Sequence, residues 1–305
     1  PETVRALVER GDVLVSTVGP FVKWGEAAVQ AAIASGAHYL DSTGEPPFIR
    51  DVFERHGGGA QAAGCGLVTA FGADWVPGNL AAALALRDAP DATAVHLGYY
   101  ALGPMQPSGG TAASLAGVIL EPGYTFRDGR LVTERAARRV RRFRAGSKQR
   151  PAVSVAASEH FAVPRLRAGI REVDVYLGWF GPASRPMQVG SAVGSVLTRV
   201  PGARAALGAV TGRFVKGSSG GPDAETRAKV RLLAIAEARS PAGEVLSEVR
   251  LEGQDPYGFT ADVLAWGAAT AAESGLCGTG ALGPVEAFGV DALEAGVREA
   301  GLRVV

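Results

Sequence analysis

The first residues that suggest chemistry are Gly19, Pro20 and Phe21, which close a short apolar run at Asp12–Val18. A β-branched, apolar run of that length reads as a strand buried on both faces. In an open parallel sheet, ligands bind beyond the carboxyl ends of the strands. Gly19 has no Cβ and lets the backbone approach a flat ligand. Pro20 fixes φ and stiffens the bend. Phe21 could cover a ligand ring, or it could fill the core beneath a strand-to-helix turn. These three are the candidate ligand-binding residues.

Two further stretches repeat the design. "GAHYLDSTGE" (Gly36–Glu45) ends a second short strand at Asp41, with Glu45 just beyond, on the same edge as Gly19. Asp41 could bind a ligand hydroxyl, orient His38, or cap the next helix. "AFGADWVPGN" (Ala70–Asn79) follows a third strand. Asp74 could contact substrate or cap the helix that begins at Val76 and Pro77, and Trp75 offers an aromatic wall. Proton transfer to a reacting group needs a positioned acid or base. Asp41, Asp74 and Tyr39 are the leading candidates, with Tyr99, Tyr100, His160 and Tyr257 behind them. The residues alone do not choose among them. His38, at a strand start, reads as a partly buried polar residue.

These positions need a scaffold, and the spacing of apolar residues supplies one. Up to about residue 90, strands (Asp12–Val18, His38–Asp41, Gly66–Phe71) alternate with helical patterns (Trp24–Ser35, Phe48–Ala63, and the run after Pro77). That alternation implies a parallel, doubly wound sheet of Rossmann type. Three glycines at Gly57–Gly59 would each cost roughly 1 kcal/mol in a helix, so a loop is expected there. From 91 to 255 the pattern changes. Strand-like runs at Thr93–Leu102, Glu172–Trp179, Ala228–Ala238 and Glu244–Leu251 predict an α+β domain with an antiparallel sheet, the last two joined by a hairpin at Ser240–Gly243. Ser108–Leu120 reads as a helix and Lys216–Asp223 as a loop. From 256 to 305 a helical pattern returns, at Tyr257–Ser274 and Asp291–Ala300.

Composition narrows the function classes. The chain has 305 residues, 47% of them apolar, with 31 basic and 30 acidic side chains. That balance speaks against a strongly charged partner. "RAARRVRRFR" (Arg135–Arg144) is the exception. Such a run is usually a solvated face, though it could meet phosphates or a membrane surface. With one aromatic and no nucleic-acid motif, nucleic-acid recognition is not expected. Cys65 and Cys277 match no disulfide framework or zinc spacing, and no metal is expected. No apolar run reaches the roughly 18 residues of a membrane span. The expected location is cytoplasmic, with membrane association left open. Amphipathic stretches in Ser191–Val215 keep a peripheral membrane contact open, and a homodimer is a further open reading.

Together, "STVGPFVKWGEAAVQAAIASGAHYLDSTGE", "VTAFGADWVPGNLA", "SGGTAAS", "DPYGFTADVLA" and "GPVEAFG" resemble, in order, the saccharopine dehydrogenase-like family of NAD(P)-binding oxidoreductases. The subgroup they fit best includes the trans-acting enoyl reductases. The resemblance implies a Rossmann-type domain, an α+β domain and a C-terminal helical return onto the first. It implies NAD(P), more specifically NADP, with Gly19, Pro20 and Phe21 near the nicotinamide. It implies a reductase transferring hydride to a bulky or lipid-like small molecule. Two alternatives stay open: a non-catalytic lipid- or membrane-surface-binding protein of the same fold, and an amino-acid or amine dehydrogenase. Family members begin with a strand and a G-x-x-G-x-x-G loop that receives the diphosphate at a helix N-terminus. That unit is not in this sequence, and Pro1–Arg10 reads as the helix before a fourth strand. The expectation is a chain that lacks its leading strands.

Overall fold

The computed structural model describes residues 2–104, 122–197 and 221–305. The helix expected at Ser108–Leu120, most of the Lys216–Asp223 loop and the part of Ser191–Val215 beyond 197 lie outside the described residues.

Strands β1 (Val13–Ser16), β2 (His38–Asp41) and β3 (Gly66–Val68) form a parallel sheet in sequence order, with Ser16 opposite Asp41 and Leu40 opposite Val68. The parallel pairing follows from the helices that carry the chain back between strands. The first, Phe21–Ser35, ends at Gly36, which takes the left-handed φ of 73° and returns its N–H to Ala32 and Ile33. The second path runs from Pro46–Asp51 through a π-helical turn, Val52–His56, into Gly57–Ala63. The loop expected at Gly57–Gly59 is therefore helix. A Cβ on Gly57 would lie 3.2 Å from the Ala281 Cβ, so close packing here selects glycine and overrides its poor helix propensity.

Strands β4 (Ala94–Leu102), β5 (Gly123–Arg127), β6 (Arg130–Glu134), β7 (Val140–Ala145), β8 (Lys148–Ser154), β9 (Glu172–Leu177), β10 (Arg231–Arg239) and β11 (Val245–Gln254) build a second sheet. Its order corrects the antiparallel expectation. The sheet is mixed, because β9 lies parallel to β4 while the other pairings are antiparallel. The helix Glu159–Leu166 precedes β9 and gives the chain room to return in the same direction as β4. One face carries Val95, Leu97, Val173, Val175, Ala234 and Ala236 into the main core. The other buries Tyr100, Tyr176, Leu233 and Ile235 beneath Phe143 of the β7–β8 hairpin. The two faces follow the alternation of strand side chains.

The C-terminal residues serve both sheets. The helix Pro256–Ser274 crosses the first sheet, where a Cβ on Gly267 would come within 2.6 Å of Phe71. Then β12 (Gly280–Ala281) joins β3 in parallel, and β13 (Arg303–Val304) pairs with β11. The helix Val76–Arg87 links the two sheets in sequence and packs on β4, β10 and β11, buried from Val76 to Leu86. A helix this largely apolar belongs inside a core.

Candidate functional site

The carboxyl ends of β1, β2 and β3 meet in three adjoining turns. The first carries Gly19 and Pro20, both exposed. Phe21, directly after them, is 6% exposed, and its ring faces Phe48 at 5.7 Å in the core. Gly19 itself is open, since the nearest atoms to a Cβ there would lie 3.7 Å away on Phe21.

The second turn leaves β2 at Asp41. Glu45 reaches back across it, and its two carboxylate oxygens accept the Phe21 and Val22 N–H groups, each at 3.0 Å. These are orphan donors of the first helical turn, so Glu45 neutralises the positive end of that helix. Asp41 is fully buried. Its Oδ1 accepts from the Thr43 and Ala70 N–H groups at 2.8 and 2.9 Å, and its Oδ2 accepts from the Thr69 hydroxyl at 2.8 Å. Burial pushes the Asp41 carboxyl up to about 6, against these hydrogen bonds, which favour its charged form. Asp41 thus ties the second turn to the third. It holds Ala70 at a φ of 62°, a left-handed conformation that costs a non-glycine residue on the order of 1 kcal/mol. Tyr39 is buried beside Asp41, and burial together with that carboxyl drives its phenol well above the usual range.

The third turn brings Asp74 over the second. A Cβ on Gly44 would lie 2.8 Å from the Asp74 Oδ2. Asp74 is half-buried and accepts no hydrogen bond among the described residues, and desolvation pushes its carboxyl up to about 6. Asp74 does not cap the helix Val76–Arg87; Trp75 occupies the N-cap position without a side-chain bond. The turn is held from outside by Thr260, whose hydroxyl accepts the Ala73 N–H at 3.0 Å. Of the three catalytic candidates, Asp74 alone is part-exposed and accepts no hydrogen bond among the described residues.

Behind Asp74 is a group that the sequence does not single out. Glu159, at the start of its helix, is fully buried and touches no cation among the described residues. Tyr99 contacts both the Glu159 carboxyl and, at 3.0 Å, the Trp75 carbonyl. Ser158 donates to the other Glu159 oxygen at 3.2 Å and accepts from the Asn79 amide at 3.1 Å. Burial pushes Glu159 up to about 8 and drives Tyr99 well above its usual range. Gly78 makes this possible, because a Cβ there would sit 1.9 Å from the Tyr99 oxygen. Nothing local in "SEHF" announces that burial, which arises only when the helix Glu159–Leu166 packs on Val76–Arg87 and β4 brings Tyr99 against it.

The remaining candidates have structural partners. His38 accepts the Gly66 N–H at 3.0 Å, and His160 is fully buried, a desolvation that lowers its imidazole to about 4 against a hydrogen bond to the Ala157 backbone that acts the other way. Tyr100 donates to the Arg150 carbonyl at 2.9 Å.

The arginine run is a solvated face only in part: Arg138, Arg142 and Arg144 are exposed, whereas Arg135, Arg139 and Arg141 turn toward acids and backbone carbonyls. It lies largely in β7 and its approach, where Arg139 pairs with Glu134 at 2.6 Å and Asp174 at 3.0 Å, and Arg141 pairs with Glu237 at 2.5 Å. Arg127, from β5, adds a two-oxygen grip on Asp174 at 2.9 and 3.1 Å. Ligand atoms of His96, Glu172 and Asp174 gather within 4.8 Å of one another, a spacing a metal could use. The guanidinium groups already supply the positive charge there. Burial would raise the Asp174 carboxyl, but Arg139 and Arg127 outweigh it and hold it below the usual range.

Comparison with known proteins supports the family resemblance. Over 80 residues the chain is 38% identical to the trans-acting enoyl reductase of Mycobacterium leprae, a stretch covering 26% of this chain and 19% of that protein. It is 32% identical over 78 residues to a lipid droplet localized protein of Caenorhabditis elegans, covering 26% of this chain and 18% of the relative. The chain therefore matches about a fifth of the length of these curated relatives. In structure it is similar to apo saccharopine dehydrogenase (L-Glu forming) of Saccharomyces cerevisiae, with a TM-score of 0.54 at 10% identity, covering all of this chain and 87% of that one. That likeness is one of fold, a Rossmann-type sheet joined to a mixed α/β unit. No family model matches the chain. Among the described residues no helix is long and apolar enough to cross a membrane.

Proposed function

We propose that the protein is an NAD(P)-dependent oxidoreductase, a reductase whose substrate meets the cofactor at the carboxyl edge of the first sheet. The observation that carries the reading is the Asp74 carboxylate, which has no hydrogen-bond partner among the described residues and lies against Gly44 of the turn whose Glu45 ties down the open Gly19 turn, on the ligand-binding edge of a parallel sheet. The residues fit the ring end of a dinucleotide. Gly19 and Pro20 offer an open, Cβ-free surface there, whereas Glu45 already satisfies the Phe21 and Val22 donors that a phosphate would need. When bound, the nicotinamide supplies a hydride.

The chain's own contribution is the proton. Asp74, half-protonated near pH 6, donates it to the partner atom of the double bond whose other carbon takes the hydride, and Thr260 and Asp41 hold the turns that aim it. Turnover then falls as pH rises through about 6, because the donating form is lost. Asp41 and Tyr39 are too enclosed to reach substrate.

A lipid-like 2-enoyl substrate is the finer reading. The enoyl reductase relatives support it, as does the lipid droplet relative, which also favours association with a membrane surface from the cytoplasmic side. The preference for NADP over NAD rests on the resemblance alone. Titration with NADPH and NADH, followed by nicotinamide fluorescence, tests the core of the proposal. Binding of at least one, weakened about tenfold or more by Gly19→Val, is expected, a loss of about 1.4 kcal/mol. No response to either cofactor contradicts it. Oxidation of NADPH by a long-chain 2-enoyl thioester, and not by a 2-oxo acid with an amine, separates the enoyl reading from an amine dehydrogenase. Retention on anionic vesicles in flotation tests the surface association.

A further inference from the structure

The hydrogen bonds around Glu159 carry a second assignment, which rests on Asp74 being the proton donor. Tyr99 has one proton; the Gly78 N–H faces its oxygen as a donor, while the Trp75 carbonyl and the Glu159 carboxyl are both acceptors if Glu159 is ionised. One contact is then left without a hydrogen. If Glu159 is neutral, its own O–H donates to Tyr99, and Tyr99 donates onward to Trp75. The chain of donors then closes. Burial argues the same way, since a fully enclosed carboxylate with no cation partner is costly. The groups facing Glu159 are Tyr99 from β4, Ser158 beside it, Asp74 from the third turn and Tyr124 from β5. None is cationic.

We propose that Glu159 is a positioning residue that stays protonated at neutral pH and, through Tyr99 and the Trp75 carbonyl, fixes the turn that presents Asp74. The Trp75 carbonyl also accepts the Asn79 backbone and side-chain N–H groups, at 3.1 and 2.9 Å. The tether therefore acts on the residue next to Asp74, at the start of the helix Val76–Arg87. Ionisation of Glu159 redirects the Tyr99 proton toward its carboxylate and frees the turn.

Infrared spectra of the whole chain test this without any assay of turnover. A protonated-carboxyl stretch should be present at pH 7, disappear as pH rises through about 8, and be absent from Glu159→Gln. Asp41 and Asp74 are mostly ionised at that pH and contribute little. Absence of the band at pH 7 in the wild type, or its persistence in Glu159→Gln, overturns the assignment. NADPH oxidation with a 2-enoyl thioester gives the functional arm. The wild-type log kcat should steepen just above pH 8, where the second ionisation adds a further loss of up to about tenfold. Glu159→Gln, which keeps a donor to Tyr99, should keep the shallower slope. Tyr99→Phe should lower kcat about tenfold with NADPH affinity unchanged. An alkaline break that survives in Glu159→Gln, or equal kcat in Tyr99→Phe, overturns the positioning role. The infrared arm stands even if no enoyl thioester is reduced, so the two readings fail separately.

Discussion

Two buried carboxylate clusters share this molecule and behave oppositely. Around Asp174, between the second sheet and the β7–β8 hairpin, every acid meets an arginine, and Asp174 is held ionised below its usual range. Around Glu159 and Asp74, where the two sheets meet, no arginine or lysine is in contact among the described residues, and burial pushes both acids up. Similar burial, with and without cations, yields a clamp in one place and proton-holding groups in the other. The difference explains why the conspicuous arginine run does not mark the site. It matches acids already present on β6, β9 and β10. A site for proton chemistry is marked instead by carboxylates that lack such partners.

Removing a charge from the clamp should have the largest effect on stability. Asp174→Asn leaves Arg127 and Arg139 facing one another, and a loss of about 3 kcal/mol is expected in denaturant unfolding. A loss below about 1 kcal/mol would remove the contrast. Gly78→Ala tests the packing that encloses the other cluster. Its Cβ would overlap Tyr99 and approach the Glu159 Oε1 to 2.8 Å, so about 2 kcal/mol should be lost as the helix is pried from β4.

The smallest effect is one of sign. Glu159 has a raised folded pKa, so its contribution to stability is fully present below its unfolded value and is lost as pH rises toward about 8. Asp174 has a lowered one, so its contribution is present above its unfolded value and is lost as pH falls through the folded value. Melting temperature should therefore fall less steeply between the unfolded value of 4.5 and about pH 8 in Glu159→Gln, while the decline at lower pH is retained. The same slope in both proteins between those values would contradict the comparison.

What could be read from the residues was largely local. The apolar runs ending at Ser16, Asp41 and Val68 and the helices between them announce the parallel sheet, and the turns at Gly19 and Asp74 mark its carboxyl edge. Three things were not legible, each because a distant partner decides it. The helical Gly57–Gly59 depends on contact with Ala281, more than 200 residues on. The parallel β4–β9 pair depends on a crossover whose direction no local pattern encodes. Glu159 lies in an ordinary helical first turn, and its lack of a cation partner is a property of the assembled interface. Asp41 shows the converse. Its position in the sequence suggested both chemistry and scaffolding, and the structure gives it three hydrogen bonds that knit the edge together.

The central claim is that Asp74 supplies a proton at a cofactor-binding sheet edge. Kinetics of Asp74→Asn with NADPH and a long-chain 2-enoyl thioester test it most directly. Because Asp74 accepts no hydrogen bond among the described residues, the variant should fold and bind NADPH as the wild type does, while kcat falls about a hundredfold or more. Unchanged kcat, with the pH 6 dependence intact, would contradict the account.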